Sequence, residues 1–300
     1  MPSSPSSAEA AGRVVSGHGR HVVVEVAGGG RLKCHTRGKK SECVVGDMVS
    51  WQASGDEGVV DAVLPRRNLL YRQDAWKTKA FAANIDQMLV VVAAEPVFSE
   101  SQLARALIGA ESAHIAARIV LNKSDLPAFA AAEARLAPYA AIGIDVVGLA
   151  LKKDPGQARE RLGALLAGKA TLVLGPSGAG KSTLVNLMIP DAQVQVGEIS
   201  QALGTGRHTT TATHWYWLDA ARTSALIDSP GFQEFGLRQI APADLAGLMP
   251  DIGRHASECR FYNCGHLHEP GCGVLAALAR QEIAESRYRI YREILAELAG

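Results

Sequence analysis

Thr171-Leu172-Val173-Leu174-Gly175-Pro176-Ser177-Gly178-Ala179-Gly180-Lys181-Ser182-Thr183 is the stretch that decides the fold of this 300-residue chain. An apolar strand runs into a Gly-x4-Gly-Lys-Ser loop, and the loop opens a helix predicted over 181–188. Glycines let successive backbone N–H groups turn inward around phosphate oxygens. Lys181 brings a point charge to the outer phosphates, Ser182 brings a hydroxyl suited to Mg2+, and Thr183 continues the binding turn. The helix start adds its positive end. Strand, phosphate loop and helix in that order predict a doubly wound α/β domain. A glycine-rich turn with no ligand is the competing reading, and the strand and helix flanks weigh against it.

Two further motifs flank the loop in an unusual order. Asn122-Lys123-Ser124-Asp125 lies upstream, just after an apolar strand over 117–121. Asp125 can accept hydrogen bonds from guanine N1–H and its exocyclic amine, a donor pair adenine lacks. Charge-assisted bonds of this kind contribute about 1.5–3 kcal/mol each, so GTP and GDP are expected over ATP. The Lys123 stem can lie on the base, and Asn122 can brace the phosphate loop. Asp228-Ser229-Pro230-Gly231 lies downstream. Asp228 ends a strand and can face Mg2+, while the Gly231 N–H can meet the γ-phosphate. In ordinary GTPases the phosphate loop leads and the guanine motif comes near the end. Here the parts are rotated along the chain, a circular permutation. It sets the γ-phosphate-sensing segment directly against whatever lies C-terminal to it.

Phe232 stands where Ras-like proteins carry the glutamine that orients water, and Gln233 comes one residue late. The candidate substitute is His208, within Gly206-Arg207-His208-Thr209-Thr210-Thr211. A neutral imidazole can position or deprotonate water. An ordinary surface-loop histidine is the alternative. Thr210 is the favoured threonine for closing on Mg2+, and slow intrinsic turnover is expected until a partner orders this loop.

Outside this centre, residues 1–10 read as a disordered Ser/Pro/Ala tail. Strands predicted over 12–16, 21–26, 31–35, 47–53 and 58–64 suggest a small barrel of OB type, with an SH3-like barrel as the alternative. Seven Lys and Arg between Arg13 and Val45 (Arg13, Arg20, Arg31, Lys33, Arg37, Lys39, Lys40) face only Glu25 and Glu42. They predict either a polyanion-binding surface or a solvated sheet face. Strands over 87–93, 143–147, 170–174, 215–218 and 224–227 and a helix over 102–113 extend the α/β pattern. Beyond 235 a short helix (243–249), a loop-rich cluster (259–272) and a long helix (273–298) are expected.

Cys259-x4-Cys264-x-His266-x5-Cys272 places four ligands within fourteen residues. Three thiolates and an imidazole fill a tetrahedral shell, so one closed, structural Zn2+ is expected. His268 is the competing imidazole. Five cysteines in all do not make a disulfide framework, and Cys34 and Cys43 read as barrel residues. An apolar fraction of 47% with no stretch long enough for a membrane helix predicts a soluble globular protein and no membrane partner, and three cysteines clustered with a histidine favour a metal in a reducing cytoplasm. The expected partition is a tail (1–10), an OB-type barrel (11–70), a permuted P-loop GTPase domain (71–236) and a helical zinc-binding domain (237–300).

Together with Lys77-Thr78-Lys79, Ala83-Asn84-Ile85-Asp86-Gln87 and Cys259-Arg260-Phe261-Tyr262-Asn263-Cys264, these motifs resemble the ribosome small-subunit-dependent GTPase A family (RsgA, also called YjeQ). The resemblance runs from about residue 12 to the last helix. It implies a cytoplasmic GTPase that binds the 30S subunit and 16S rRNA late in assembly; a monomer is expected. It also implies hydrolysis stimulated by the ribosome and a link to release of another assembly factor. The family histidine proposed to be catalytic maps to His208. One departure stands out: the base-backing Ser-Ala segment is replaced by Gly148-Leu149-Ala150. The rival function is a non-catalytic RNA-binding scaffold that uses nucleotide as structural support.

Overall fold

Alternating valines build the first unit of the chain. In the computed structural model, which describes residues 10–18, 21–36, 43–73, 78–190, 213–229 and 237–299, five strands form a ring. They are β1 (Ala10–His18), β2 (His21–Val26), β3 (Arg31–Thr36), β4 (Met48–Ser54) and β5 (Glu57–Val63). β1 pairs antiparallel with both β2 and β4, β2 with β3, and β4 with β5, while β3 and β5 run parallel. That closed order fits the OB-type barrel. Val14, Val22, Val24, Cys34, Val49 and Val60 fill its interior, as the period of two requires. Ala10 already belongs to β1, and the rest of the expected tail lies outside the described residues.

A hairpin absent from the sequence reading follows: β6 (Leu69–Gln73) and β7 (Thr78–Ala83) form a separate two-stranded sheet. After it, Asn84 knits the barrel to the next unit. Its amide donates to Gly46 O at 2.9 Å and its carbonyl accepts from Arg67 N at 2.9 Å. Buried Asp47 adds a second tie by accepting both Arg66 Nε and Nη2, at 2.7 and 2.8 Å.

The α/β unit has parallel strands β8 (Gln87–Ala93), β9 (Ala116–Asn122), β10 (Asp145–Leu149), β11 (Ala170–Leu174) and β13 (Ala225–Asp228). β12 (His214–Trp217) runs antiparallel to β13. The order is β10-β9-β8-β11-β13-β12, and β12 then pairs with barrel strand β1 at Ser16 and His214, so one sheet continues across both units. Helices α1 (Glu100–Ser112) and α2 (Phe129–Ala141) cover one face, and α3 (Pro155–Leu166) and α4 (Lys181–Met188) the other. β8 shows why: Met88, Val90 and Val92 point into the first core, and Leu89, Val91 and Ala93 into the second. Burying both faces turns the strand into a continuous apolar run.

The C-terminal unit contains α5 (Pro250–Ala256), α6 (Gly273–Ala279) and α7 (Glu285–Ala299). Two expectations are corrected here. The predicted helix over 243–249 is a 3-10 turn (Pro242–Asp244) followed by turns. Pro250 lacks an N–H and holds Met249 extended, so the helix begins at the proline instead. The predicted long helix is two helices. Gln281 adopts a left-handed φ of 61°, and Gln281 N and Glu282 N donate to Leu278 O and Ala277 O at 3.0 Å each. This closes α6 and lets Ile283 turn into the core. The same core takes in Ala104 and Ile108, so the unit is docked on the back of α1. A buried bidentate pair, Arg287 to Asp251 at 2.8 and 2.9 Å, anchors the dock, with the guanidinium 4.8 Å from the Tyr139 ring of α2.

Candidate functional site

The carboxyl ends of β8, β9, β11 and β13 converge at one edge of the sheet, and the chemistry collects there. β11 ends at Leu174, the loop 175–180 follows, and α4 starts at Lys181. Gly180 sits at φ +103°, where a Cβ would collide with the Asn122 side chain. Only glycine allows that close approach. Asn122 uses it: Nδ2 donates to Ala179 O at 2.8 Å, and Oδ1 accepts from Leu151 N at 3.1 Å. One buried amide thus ties the phosphate loop to the guanine motif and to the chain leaving β10.

Lys123 has a positive φ of 64° and donates from Nζ to Glu95 O. Ser124 N donates to Leu149 O at 3.0 Å, while the Ser124 and Asp125 side chains are exposed at the mouth of the edge. Gly148-Leu149-Ala150 therefore lies beside the guanine motif. Arg161 Nη1 fixes it by donating to Gly148 O at 2.9 Å.

Lys181 Nζ donates to Asp228 Oδ1 at 2.6 Å. The register places Asp228 beside Val173 of β11 and opposite His214 of β12. Ser182 and Thr183 stand on the first turn of α4, next to this pair. His208, Thr210, Gly231 and Phe232 lie outside the described residues; the chain re-enters at Thr213 and is described up to Ser229.

His214 also touches the barrel. Ser16 Oγ and His214 Nδ1 are hydrogen-bonded at 3.1 Å, and Trp217 Nε1 donates to buried Glu25 at 2.6 Å. Of the basic residues singled out in the barrel, Arg13 packs its guanidinium 4.5 Å from the Trp215 ring. Arg31 pairs with Glu25 at 3.4 Å and Lys33 with Glu57 at 2.8 Å. Arg20, Arg37, Lys39 and Lys40 lie outside the described residues.

The second cluster is at the C-terminal unit. Ligand atoms of Cys259, Cys264, His266 and Cys272 all lie within 4.8 Å of one another. Cys259 and Cys272 sulfurs are 3.8 Å apart, and they lie 3.4 and 3.6 Å from His266 Nδ1. A tetrahedral Zn2+ with bonds of about 2.3 Å to sulfur and 2.0 Å to nitrogen requires S···S and S···N separations of about 3.8 and 3.5 Å. The donor set and its spacing fit zinc. Burial, with the Cys272 and Cys259 sulfurs adding to it, pushes the Cys264 thiol up to about 12, and burial lowers His266. Burial thus favours the neutral imidazole, and a cation's charge would favour the thiolates. Gly273 N and Leu275 N donate to the Cys259 and Cys272 sulfurs at 3.3 and 3.4 Å. His266, not His268, joins the cluster.

A family model described as RsgA GTPase matches residues 63–238, more than half of the chain. The chain belongs to the RsgA GTPase family. It is therefore a GTP hydrolase, and GTP, GDP and Mg2+ are what its centre handles. The small ribosomal subunit biogenesis GTPase RsgA of Variovorax paradoxus (strain S110) is 60% identical over 293 residues, 96% of this chain and 92% of that protein. The RsgA of Burkholderia pseudomallei (strain K96243) is 51% identical, over 99% of this chain and 95% of that one. The crystal structure of YjeQ from Thermotoga maritima matches with a TM-score of 0.75 at 30% identity, covering 97% of this chain and 99% of that chain. The crystal structure of YloQ, a circularly permuted GTPase, matches with a TM-score of 0.71 at 26% identity over 99% of this chain and 98% of that chain. The permuted motif order read from the sequence is the order this RsgA chain folds with.

Two contributors escaped the sequence reading. Leu151 and Arg161 support the guanine edge through one backbone N–H and one side chain. Nothing in their local sequence marks them. Asp86, within the Ala83-Asn84-Ile85-Asp86-Gln87 motif named above, accepts Ala170 N at 2.7 Å and so ties the entry of β8 to the start of β11.

Proposed function

We propose that this RsgA chain binds the 30S ribosomal subunit late in its maturation and hydrolyses GTP there, with the ribosome stimulating turnover. The names of the relatives, shared over nearly the full length, support the ribosomal assignment. The observation that carries the nucleotide part is the Asn122 amide, which ties the guanine motif to the phosphate loop through Ala179 O. One ligand can then engage both.

In this reading Asp125 selects guanine, Lys123 lies along the base, and Ser124 closes the motif. The backbone of Gly175, Pro176, Ser177, Gly178, Ala179 and Gly180 cradles phosphates, with Lys181 and Thr183. Ser182, Asp228 and Thr210 hold Mg2+, which when bound neutralises charge between the phosphates. The Gly231 N–H senses the γ-phosphate, and His208 orients water. Cys259, Cys264, His266 and Cys272 hold one structural Zn2+. The barrel (11–70) and the zinc domain (237–300) contact 16S rRNA around the GTPase domain (71–236). The protein acts as a cytoplasmic monomer, with a further assembly factor as its second partner.

The nucleotide state sets ribosome affinity in this proposal, through a two-state element biased by the γ-phosphate. Both candidate switches adjoin strands, β12 and β13, that meet at His214 and Asp228, and β12 pairs with the barrel. Between Ser229 and Cys259 the described residues contain one α-helix, α5.

The test is GTP hydrolysis by the zinc-loaded protein with and without 30S subunits, with 50S subunits and ATP as controls. Stimulation by 30S alone, with GTP alone, is expected. Flat turnover with 30S sinks the proposal, and equal 30S affinity with GDP and a non-hydrolysable GTP analogue sinks the switch.

A further inference from the structure

Among the described residues only four large apolar side chains are exposed, and three of them, Phe261, Tyr262 and Leu267, belong to the zinc-ligand loop. Tyr262 is 103% exposed, so it packs against nothing and contributes almost no burial to the fold. Scattered exposed apolar residues need no explanation, whereas a cluster held on a braced loop marks a contact surface.

The brace is extensive. Phe261 and Tyr262 lie between ligands Cys259 and Cys264, where Cys264 N donates to Phe261 O at 3.3 Å and Arg260 N to Gly271 O at 3.0 Å. Tyr288 and Tyr291 hydroxyls donate to His266 O and Gly265 O at 2.7 and 3.2 Å. Aromatic rings presented this way lose little freedom on binding.

Charge tells which partner fits. The Arg260 guanidinium lies 5.5 Å from the Phe261 ring and is exposed, with no acid paired to it among the described residues. The nearby acids are engaged elsewhere. Glu269 accepts Gly265 N, Leu267 N and His268 N at 2.7, 2.8 and 3.0 Å. Glu258 faces His255 at 3.1 Å and Arg280 at 3.9 Å. Arg289 and Arg292 line a groove beside Leu267 together with Glu293, which lies 3.9 Å from Arg289. Exposed rings with an unpaired arginine match the unstacked bases and phosphates of single-stranded RNA.

We infer that Tyr262 and Phe261 form a stacking platform for unpaired RNA bases, with Arg260 meeting the adjacent phosphate. The inference deepens the ribosomal reading and rests on it for the source of the RNA. It assigns recognition to two rings and one cation of the zinc loop.

The experiment uses the full-length, zinc-loaded protein and a fluorescein-labelled single-stranded RNA 12-mer of mixed sequence. Anisotropy is read against a duplex RNA of equal length, and 30S binding is followed by co-sedimentation. One base–ring stack is of a size that predicts about a tenfold loss of single-strand affinity for Tyr262→Ala. Tyr262→Phe is expected to bind as wild type, since the ring alone stacks. Duplex binding and ribosome-free GTP hydrolysis should be unchanged, which also shows that the variant is folded. Wild-type affinity in Tyr262→Ala, an equal loss on duplex, or no single-strand binding by the wild type overturns the platform. A variant that loses 30S affinity but keeps probe affinity assigns the surface to a ribosomal protein and also overturns it. If 30S subunits neither bind nor stimulate the wild type, the ribosomal reading fails, while the probe still decides the platform.

Discussion

Lys181 Nζ and Asp228 Oδ1 are 2.6 Å apart, on side chains only 14% and 13% exposed. The lysine of the phosphate loop and the acid that ends β13 are thus drawn together at the sheet edge, although 46 residues separate them in the chain. Opposite Asp228 stands His214, which hydrogen-bonds Ser16 of the barrel. A continuous line of contacts therefore runs from the phosphate loop to the N-terminal unit.

Replacing Lys181 by alanine removes the charge aimed at the outer phosphates and leaves a mostly buried carboxylate without its partner. Turnover is expected to fall by about 100-fold or more, and stability by about 1–3 kcal/mol. Phosphate release and chemical denaturation check the two effects. Turnover within a few-fold of wild type would falsify the role given to Lys181.

Asn122 and Asp125 separate bracing from recognition. Asn122→Ala orphans Ala179 O and Leu151 N, a loss of about 2 kcal/mol in stability accompanied by weaker GDP binding. Asp125→Asn leaves the brace intact and exchanges one acceptor for a donor. Guanine affinity should drop by at least about tenfold, and xanthine nucleotides, with a carbonyl in place of the amine, should gain. Calorimetry with GDP and xanthosine diphosphate distinguishes the cases. Unchanged base preference removes Asp125 from the recognition role.

His208 is tested by its kinetic signature. His208→Ala should lower 30S-stimulated turnover by about 100-fold while leaving GTP affinity in place, because a water-orienting group acts on the chemical step. A proportional loss of affinity instead assigns it to binding.

Much of this architecture is legible in the residues. The alternation of Val22 and Val24 gives the barrel wall, and the strand–loop–helix at 171–188 gives the sheet edge. Other parts are hidden by their physics. The break between α6 and α7 carries neither glycine nor proline; Gln281 takes the left-handed turn because Ile283 gains burial there. The β6–β7 hairpin has a register shift between Leu70 and Tyr71, which disrupts its period of two. α3 carries ordinary helix-start signals in its sequence. Asp154 caps it by accepting Gln157 N at 3.0 Å, and Pro155 follows at the first helical position. The choice between His266 and His268 required the fold, which turns His266 inward at φ 58° and leaves His268 exposed.

The metal cluster predicts one Zn2+ per chain, with Cys264→Ser losing most of it. Cys272 belongs to the C-terminal core and caps α6, so metal loss reaches beyond the loop. Chelation should cost about 3 kcal/mol, roughly 5–10 °C in Tm, and open three thiols to alkylation. Metal analysis, calorimetry and thiol counting with and without chelator provide the check. A chelated protein with unchanged Tm and protected thiols contradicts a structural metal.

The turn between β12 and β13 gives a pH test of the sheet edge. Asp219 accepts Thr223 N at 3.0 Å and Ser224 N at 2.7 Å, bonds that fix the register in which His214 meets Asp228. The Thr223 backbone bond and then Ser224 hold its carboxyl down to about 2. A carboxyl depressed in the folded state stabilises fully above its ordinary value near 3.8, and the effect is lost as pH falls toward 2. The urea midpoint of Asp219→Ala should therefore lie below wild type at pH 6, and the gap should narrow between pH 4 and pH 3. A gap that stays constant over that range means the carboxylate charge does not hold the turn. Among the described residues Asp219 bonds only within its own turn, so a fall in GTP affinity in this variant would trace to the register of β12 against β13.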